Sequence, residues 1–304
     1  MGINVLSLFD GISCGQVALE RLGIEIDKYY ASEINKDSIV VTQHNYPNTI
    51  QLGDVAKLID DKLIDLPKID LLIGGSPCQD LSRAKTKGQG LKGDKSKLFF
   101  EYIKVLSWLK KNNNSNIKFL LENVRPTKET LHIMSQYMGV EPVEINSVLV
   151  SAQRRDRLYW TNINNGNIMQ PESKNIKIRD IIYDNTYKTF QDERIEKTKK
   201  YTKNYVKWDL SGKGYWSQQD RAYYLDGTMC TLMKTNPSNK LNIYLGEDLY
   251  RRCHPIEGER LQTLPDNYTS IISSPNKRLG LVGDGWTVDV VVHIFKYMTK
   301  EIEL

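Results

Sequence analysis

The chain has 304 residues, with 42 Lys plus Arg against 37 Asp plus Glu and a formal net charge of +5. Its 26% charged and 40% hydrophobic residues exclude wholesale disorder, and no stretch reaches the roughly 18 apolar residues that a membrane-spanning helix needs. The length suits one domain of about 200 residues with a smaller partner, and the mild positive charge allows an acidic partner without requiring one.

The first residues, MGINVLSLFDGISCG, carry Asp10 early and no basic leader region, so they do not read as a signal peptide. Ile3 to Phe9 is a short apolar run ended by the turn signal Asp10-Gly11, and it predicts a strand. Ser13 is placed to cap a helix that runs through Val17, Leu19 and Leu22 and stops at Gly23. Residues 29–33 predict a second strand, and residues 69–73 and 117–121 two further buried ones. Between the last two, Phe99, Ile103, Leu106 and Lys110 keep the three- and four-residue spacing of an amphipathic helix over 98–110. Strand and helix in alternation predict an α/β fold, a Rossmann-like sheet with helices on both faces. Residues 1–160 are expected to form this domain.

Residues 161–256 differ in kind. They are rich in Asn, Lys and Tyr, with short apolar fragments and no sustained period, and predict a smaller, irregular, β-rich domain. Residues 257–264 look helical, and the apolar stretch 288–295 is expected to bring segment 257–304 back to the first domain. The cysteines, Cys14, Cys78, Cys230 and Cys253, are scattered; they suggest neither a disulfide framework nor a metal site, and they suit a reducing cytoplasm.

Three places carry candidate chemistry. A strand, then Asp10-Gly11-Ile12-Ser13-Cys14-Gly15, then a helix has the layout of a nucleotide-type cofactor pocket, because glycine lets the backbone approach a ligand and a helix N-terminus offers free N–H groups. Glu33, at the end of the second strand, could accept hydrogen bonds from ribose hydroxyls, and Asp54 in Gly53-Asp54-Val55 could meet an adenine amine. The G-x-G-x-x-G dinucleotide fingerprint is absent, which argues against a nicotinamide enzyme.

Second, Gly74-Gly75-Ser76-Pro77-Cys78-Gln79 leaves a buried strand and presents a thiol at the carboxyl edge of the sheet. A lone cysteine is usually a small buried apolar residue; the flanking glycines and proline give this one a defined loop. Glu122, in Leu121-Glu122-Asn123-Val124, stands at another strand end. A thiol and a carboxyl so placed can bracket a planar substrate as nucleophile and acid. Third, Gln153-Arg154-Arg155-Asp156-Arg157 concentrates cations.

Taken in order, these segments resemble the DNA (cytosine-5)-methyltransferases over nearly the whole chain. FDGISCG, Glu33 and Gly53-Asp54-Val55 are similar to the first three motifs of that family. GGSPCQ resembles its Pro-Cys loop, Glu122-Asn123-Val124 its Glu-Asn-Val motif and residues 153–157 its Gln-x-Arg-x-Arg motif. Arg260-Leu261-Gln262 and Gly283-Asp284-Gly285-Trp286-Thr287-Val288 resemble the ninth and tenth, with Asp284 where Asn is usual. The type looks prokaryotic or phage, and the first motif and Ser76-Pro77-Cys78-Gln79-Asp80-Leu81-Ser82 look closest to the branch that includes the vertebrate de novo enzymes.

The resemblance implies S-adenosylmethionine as cofactor, held by Phe9, Asp10, Gly11, Ile12, Ser13, Gly15, Glu33, Ile34, Asp54, Val55, Ser76, Pro77, Trp286, Thr287 and Val288. It implies that Cys78 adds to C6 of a flipped-out cytosine in a short sequence of double-stranded DNA, that Glu122 serves N3, and that Arg157 meets O2 while Arg155 orients its loop. An RNA enzyme acting on tRNA is the alternative, although the Cys-Phe-Thr signature of those relatives is missing. A cognate restriction endonuclease acting separately is a further expected partner, in a bacterial cytoplasm or a phage-infected cell.

DNA contacts are expected from two basic segments. Residues 79–97 hold six basic residues against two acidic ones, with Gly88, Gly90 and Gly93 between them, and suggest a lid that closes over the flipped base; Gln79, Ser82, Arg83, Lys85 and Lys87 are its expected contacts. Residues 194–207 hold six basic residues and only Glu196, interleaved with Tyr201 and Tyr205, and there Lys199, Lys200 and Lys203 suit phosphates. Arg154 completes the expected set.

Overall fold

The computed structural model describes residues 2–58, 63–77, 97–184, 186–191, 200–207, 221–233, 241–247 and 249–301. The chain divides into two compact units: residues 1–145, 156–170 and 290–304 form one, and residues 146–155 and 171–289 the other.

The first unit is built on β1 (Ile3–Leu8), β2 (Ile26–Ser32), β3 (Ile50–Gln51), β4 (Leu71–Gly75), β5 (Lys118–Asn123), β6 (Val143–Asn146) and β7 (Asp156–Thr161), in the order β3-β2-β1-β4-β5-β7-β6. β1 to β5 pair in parallel, and β7 runs antiparallel to β5. The doubly wound architecture read from the sequence is present, with its switch point between β1 and β4. Helices α1 (Cys14–Arg21), α2 (Lys36–Asn45), α3 (Lys97–Asn112) and α4 (Lys128–Met138) connect the strands. Parallel strands are buried on both faces, so they read as unbroken apolar runs. Leu6, Leu8, Leu72, Phe119, Leu121 and Trp160 from the sheet join Phe99, Tyr102 and Leu109 of α3 in one core cluster. Gly74 sits where a Cβ would come within 3.0 Å of the Leu8 carbonyl and the Tyr102 ring, so the sheet and α3 close on each other only through glycine there.

One local expectation fails. Ser13 holds the N-cap position of α1, but its φ is 57° and its side chain makes no cap hydrogen bond. The hydroxyl goes to Asp10 instead, a local bond of the sort that competes with capping.

The second unit carries a six-stranded sheet in the order β8-β13-β12-β11-β10-β9. Its strands are β8 (Thr189–Gln191), β9 (Lys200–Tyr201), β10 (Tyr205–Lys207), β11 (Arg221–Tyr223), β12 (Asn242–Gly246) and β13 (Leu249–Arg252). Strands of two to five residues are too short to show a period, which is why this region looked irregular in sequence. Helices α5 (Pro255–Leu261) and α6 (Pro275–Asp284) follow, and α7 (Val288–Glu301) carries the chain back into the first unit. Among the described residues, no helix is long and apolar enough to cross a membrane.

Candidate active site

The carboxyl ends of the parallel strands of the first unit gather the expected residues on one edge. β1 delivers Phe9 to Ser13, β2 delivers Glu33, β3 is followed by Gly53 and Asp54, β4 by Ser76 and Pro77, and β5 ends in Glu122 and Asn123. Because β7 is antiparallel, its first residues rather than its last reach this edge, and they include Arg157.

Glu33 is held just after β2 by three backbone amides. Its Oε2 accepts from the Gly11 amide at 2.8 Å, and its Oε1 accepts from the Ile34 and Asn35 amides at 2.7 and 2.8 Å. These bonds fix the carboxylate and leave lone pairs for further donors. The Ile34 side chain beside it is 72% exposed, an apolar surface in the open. Gly11 and Gly53 have φ of 59° and 83°, and a Cβ at either would meet nothing within 4 Å, so backbone lies bare at both turns. Asp54 caps the short helical turn at Val55–Lys57, accepting from the Ala56 amide at 3.0 Å, while Val55 is buried in the core. Ile12 and Gly15 are buried, and Phe9 is packed partly against the core cluster. A bare glycine backbone, a fixed carboxylate and an exposed aliphatic side chain suit an adenosine-bearing ligand.

At the ends of β4 and β5, the buried Asn123 donates from Nδ2 to the hydroxyl and carbonyl of Ser76, at 2.9 and 3.2 Å. It thereby ties β5 to the loop that leads through Pro77 to Cys78. Glu122 pairs in register with Gly75 of β4 and Tyr159 of β7. Arg157 Nε lies 2.8 Å from Glu122 Oε1, with side-chain exposures of 14% and 11%. The pair is thus largely shielded from water, where charge–charge attraction is stronger than on an open surface. Cys78, Gln79, Ser82, Arg83, Lys85, Lys87 and Lys199 lie outside the described residues, as do 79–96 of the expected lid.

Three further motifs meet inside the second unit. The buried Arg155 guanidinium donates to the carbonyls of Leu232, Gly283 and Gly285 at 2.9 to 3.2 Å. Gln153, also buried, donates to Leu261 O and Gln262 Oε1, each at 3.1 Å, and accepts from the Leu232 amide at 2.7 Å. Gln262 donates to Val282 O and Gly285 O at 3.0 Å and accepts from Thr287 at 2.7 Å. Thr287 in turn accepts from Ser147 at 2.8 Å. Residues 153–155, 261–262 and 282–287, far apart in sequence, are therefore linked by one polar network whose members support each other. Within it Thr287 is buried, Val288 is fully buried with its amide on Gln262 O at 2.9 Å, and Trp286 is half-buried. Arg154 is exposed, and its backbone pairs with Met229.

On the second sheet, Lys200 stands opposite Lys207, and Lys207 opposite Arg221, so three cations share one face across β9, β10 and β11. Like charges at directly opposed positions destabilise a sheet. The guanidinium of Arg221 lies 4.8 Å from the Tyr205 ring centroid. Lys203 is exposed in the turn between β9 and β10. Arg221 was missed in sequence because its alignment with Lys207 exists only through strand pairing. Tyr29, which bonds Asp10, was missed because no local signal marks it.

A family model described as C-5 cytosine-specific DNA methylase matches residues 3–300. The orphan methyltransferase M.Rho11sI of Bacillus phage rho11s is 33% identical over 170 residues, which cover 52% of this chain and 32% of that protein. The chain thus spans only about a third of that relative's length. The type II methyltransferase M.FnuDI of Fusobacterium nucleatum is 27% identical over 338 aligned residues, 99% of this chain and 95% of that protein. In fold, the crystal structure of S. pombe Dnmt2 methyltransferase is similar with a TM-score of 0.70 at 16% identity, covering 99% of this chain and 100% of that one.

Proposed function

This chain belongs to the C-5 cytosine-specific DNA methylase family, and from that premise we propose that it methylates C5 of cytosine in a short sequence of double-stranded DNA. The observation that carries the reading is the single sheet edge on which Glu33 with Gly11, Ser76 with Asn123, and Glu122 with Arg157 are assembled.

S-adenosylmethionine is the methyl donor of this family, and the residues around Gly11 fit its adenosine half: Glu33 for the ribose, Ile34 for the purine face, Asp54 for the amine. When bound, it supplies an electrophilic methyl group. Cytosine C5 is a poor nucleophile, so the Cys78 thiolate adds to C6 and turns the ring into an enamine. Glu122 holds the proton at N3 as charge moves onto the ring, and Arg157, fixed against Glu122, faces O2. Once C5 is alkylated, loss of its proton to a base lets β-elimination expel the Cys78 thiolate. Arg155 and Gln153 act at a distance by holding the backbone around Arg157. The target base must leave the duplex to reach Cys78, at a cost of a few kcal/mol of stacking and pairing. Lys200, Lys203, Lys207 and Arg221 contact phosphates, which position the duplex without reading its sequence. Bacterial and phage relatives support a host-protection or phage-modification role, with any cognate endonuclease acting separately.

Transfer of labelled methyl to duplex DNA, followed by bisulfite sequencing, tests the proposal. Incorporation at C5 in one sequence context, abolished by Cys78→Ala, is the expected result. Incorporation into tRNA but not DNA would replace the substrate assignment, and no incorporation into either would overturn the activity.

A further inference from the structure

The turn after β1 has a backbone that the sequence alone would not favour. Phe9, Gly11 and Ser13, at alternate positions, have φ of 57°, 59° and 57°. Glycine accepts the left-handed region freely, whereas Phe9 and Ser13 do so only where surrounding bonds hold them.

Those bonds centre on one carboxyl group. Asp10 Oδ1 accepts from the Tyr29 hydroxyl of β2 at 2.9 Å, and its Oδ2 accepts from the Ser13 hydroxyl. The Asp10 amide donates to Ser32 O at 3.2 Å, and the Ser13 amide returns to Asp10 O at 3.1 Å. Thr42 of α2 stands 3.1 Å from the Ser13 hydroxyl and donates to Gly11 O at 3.4 Å. The Gly11 amide, released from this inner set, is the one that meets Glu33.

We propose that Asp10, one of the residues expected to hold the methyl donor, acts through its side chain as a positioning residue: clamped between Tyr29 and Ser13, the carboxyl fixes the turn that presents the Gly11 amide and Glu33, and so sets cofactor affinity through that turn. The inference rests on the reading of this edge as the cofactor site. The groups that face the Asp10 carboxyl are Ser7 of β1, Tyr29 of β2, Glu33 just after β2 and Ser13 before α1; Glu33 is the charged one among them. Burial, opposed by the three hydroxyls and reinforced by Glu33, pushes Asp10 up to about 6. Below that pH the carboxyl turns from acceptor to donor on one oxygen, and one of its two hydroxyl donors loses its place.

Binding of S-adenosylhomocysteine to the full chain, followed by calorimetry from pH 5 to 7.5, tests this with Tyr29→Phe and Asp10→Asn. Tyr29→Phe keeps the ring and serves if Asp10→Asn does not fold. Both variants should bind about tenfold more weakly at pH 7.5, the low end expected for one lost hydrogen bond to a charged group. In Tyr29→Phe the KM for S-adenosylmethionine should rise in parallel, with kcat unchanged within about twofold. The parent's affinity should fall as the pH drops through 6, and that of Asp10→Asn should stay level. Unchanged affinity in the variants, even with a lowered melting temperature, would reduce the contact to a structural one and overturn the proposal. So would a level parent profile. No binding by the parent at any pH would overturn the cofactor reading itself.

Discussion

Arg157 holds Glu122 by an Nε to Oε1 contact of 2.8 Å, from the first residues of an antiparallel strand to the last residues of a parallel one. A carboxyl that serves a ring nitrogen needs a fixed orientation, and a guanidinium held in one place can face a carbonyl oxygen at the same time. Arg157→Lys keeps the charge but loses the planar geometry. It should lower kcat by about 10²- to 10³-fold, as removal of a preorganised donor does elsewhere. Binding of S-adenosylhomocysteine should stay within about twofold. Single-turnover methyl transfer beside calorimetry checks both, and equal losses in the two would contradict the assignment.

Arg155 presents the opposite case. Its guanidinium serves three buried carbonyls, so Arg155→Met would remove that donor from Leu232 O and Gly283 O, while Gly285 O would keep Gln262. Unfolding in urea should show a loss of about 2–4 kcal/mol. The exposed neighbour Arg154 should change stability by no more than about 0.5 kcal/mol when replaced by Ala. A similar stability cost at both positions would mean that the buried carbonyls are satisfied in some other way.

The cations opposed across β9, β10 and β11 give a test of DNA contact. Lys200→Ala and Lys207→Ala should each reduce the slope of log K against log salt by about 0.9, if each neutralises one phosphate. The loss should be equal for specific and random duplexes. Removing one of two opposed like charges should also leave thermal stability equal or raised. Altered sequence preference in either variant would point to base contact instead.

Asp10 makes stability depend on acidity in a defined direction. Its pKa rises from 3.8 to about 6 in the folded chain, so the folded state holds that proton more tightly than the unfolded state does. The contribution is complete below about pH 4, is lost as pH rises towards 6 and is flat above. Asp10→Asn lacks this titration. The stability of the variant relative to the parent should therefore grow across pH 4 to 6 in urea unfolding and level off above. A difference that stayed constant over that range would show the group to be unperturbed.

Much of the first unit was legible because its strands are sealed on both faces and end in turn residues, as at Asp10-Gly11 and Gly74-Gly75. Helix α3 was legible for the same reason: Phe99, Tyr102, Val105, Leu106 and Leu109 make one buried stripe. Helix α2 escapes that reading, since Ser38, Val41 and Thr42 are its buried residues and two of them are polar. Helix α4 buries Thr130, Met134, Ser135 and Met138, again a mixed face, although Thr127 and Gly139 mark its ends in the expected way. Motif order singled out Glu33, Glu122 and Arg157 before any strand pairing was known. Their hydrogen-bond partners, and the row that joins Lys207 to Arg221, depend on register between strands, which no local pattern encodes.

The short segment 146–155 belongs with residues 171–289, while the chain on either side of it belongs to the other unit. Gln153 and Arg155 find all of their named partners at positions 232, 261–262 and 283–285. This limits how the second unit can be exchanged among relatives. A graft of 171–289 alone would place foreign carbonyls around a resident guanidinium, whereas a graft that carries 146–155 along keeps the polar network intact. Exchanging this unit without residues 156–170 therefore takes four cuts in the chain, two around 146–155 and two around 171–289.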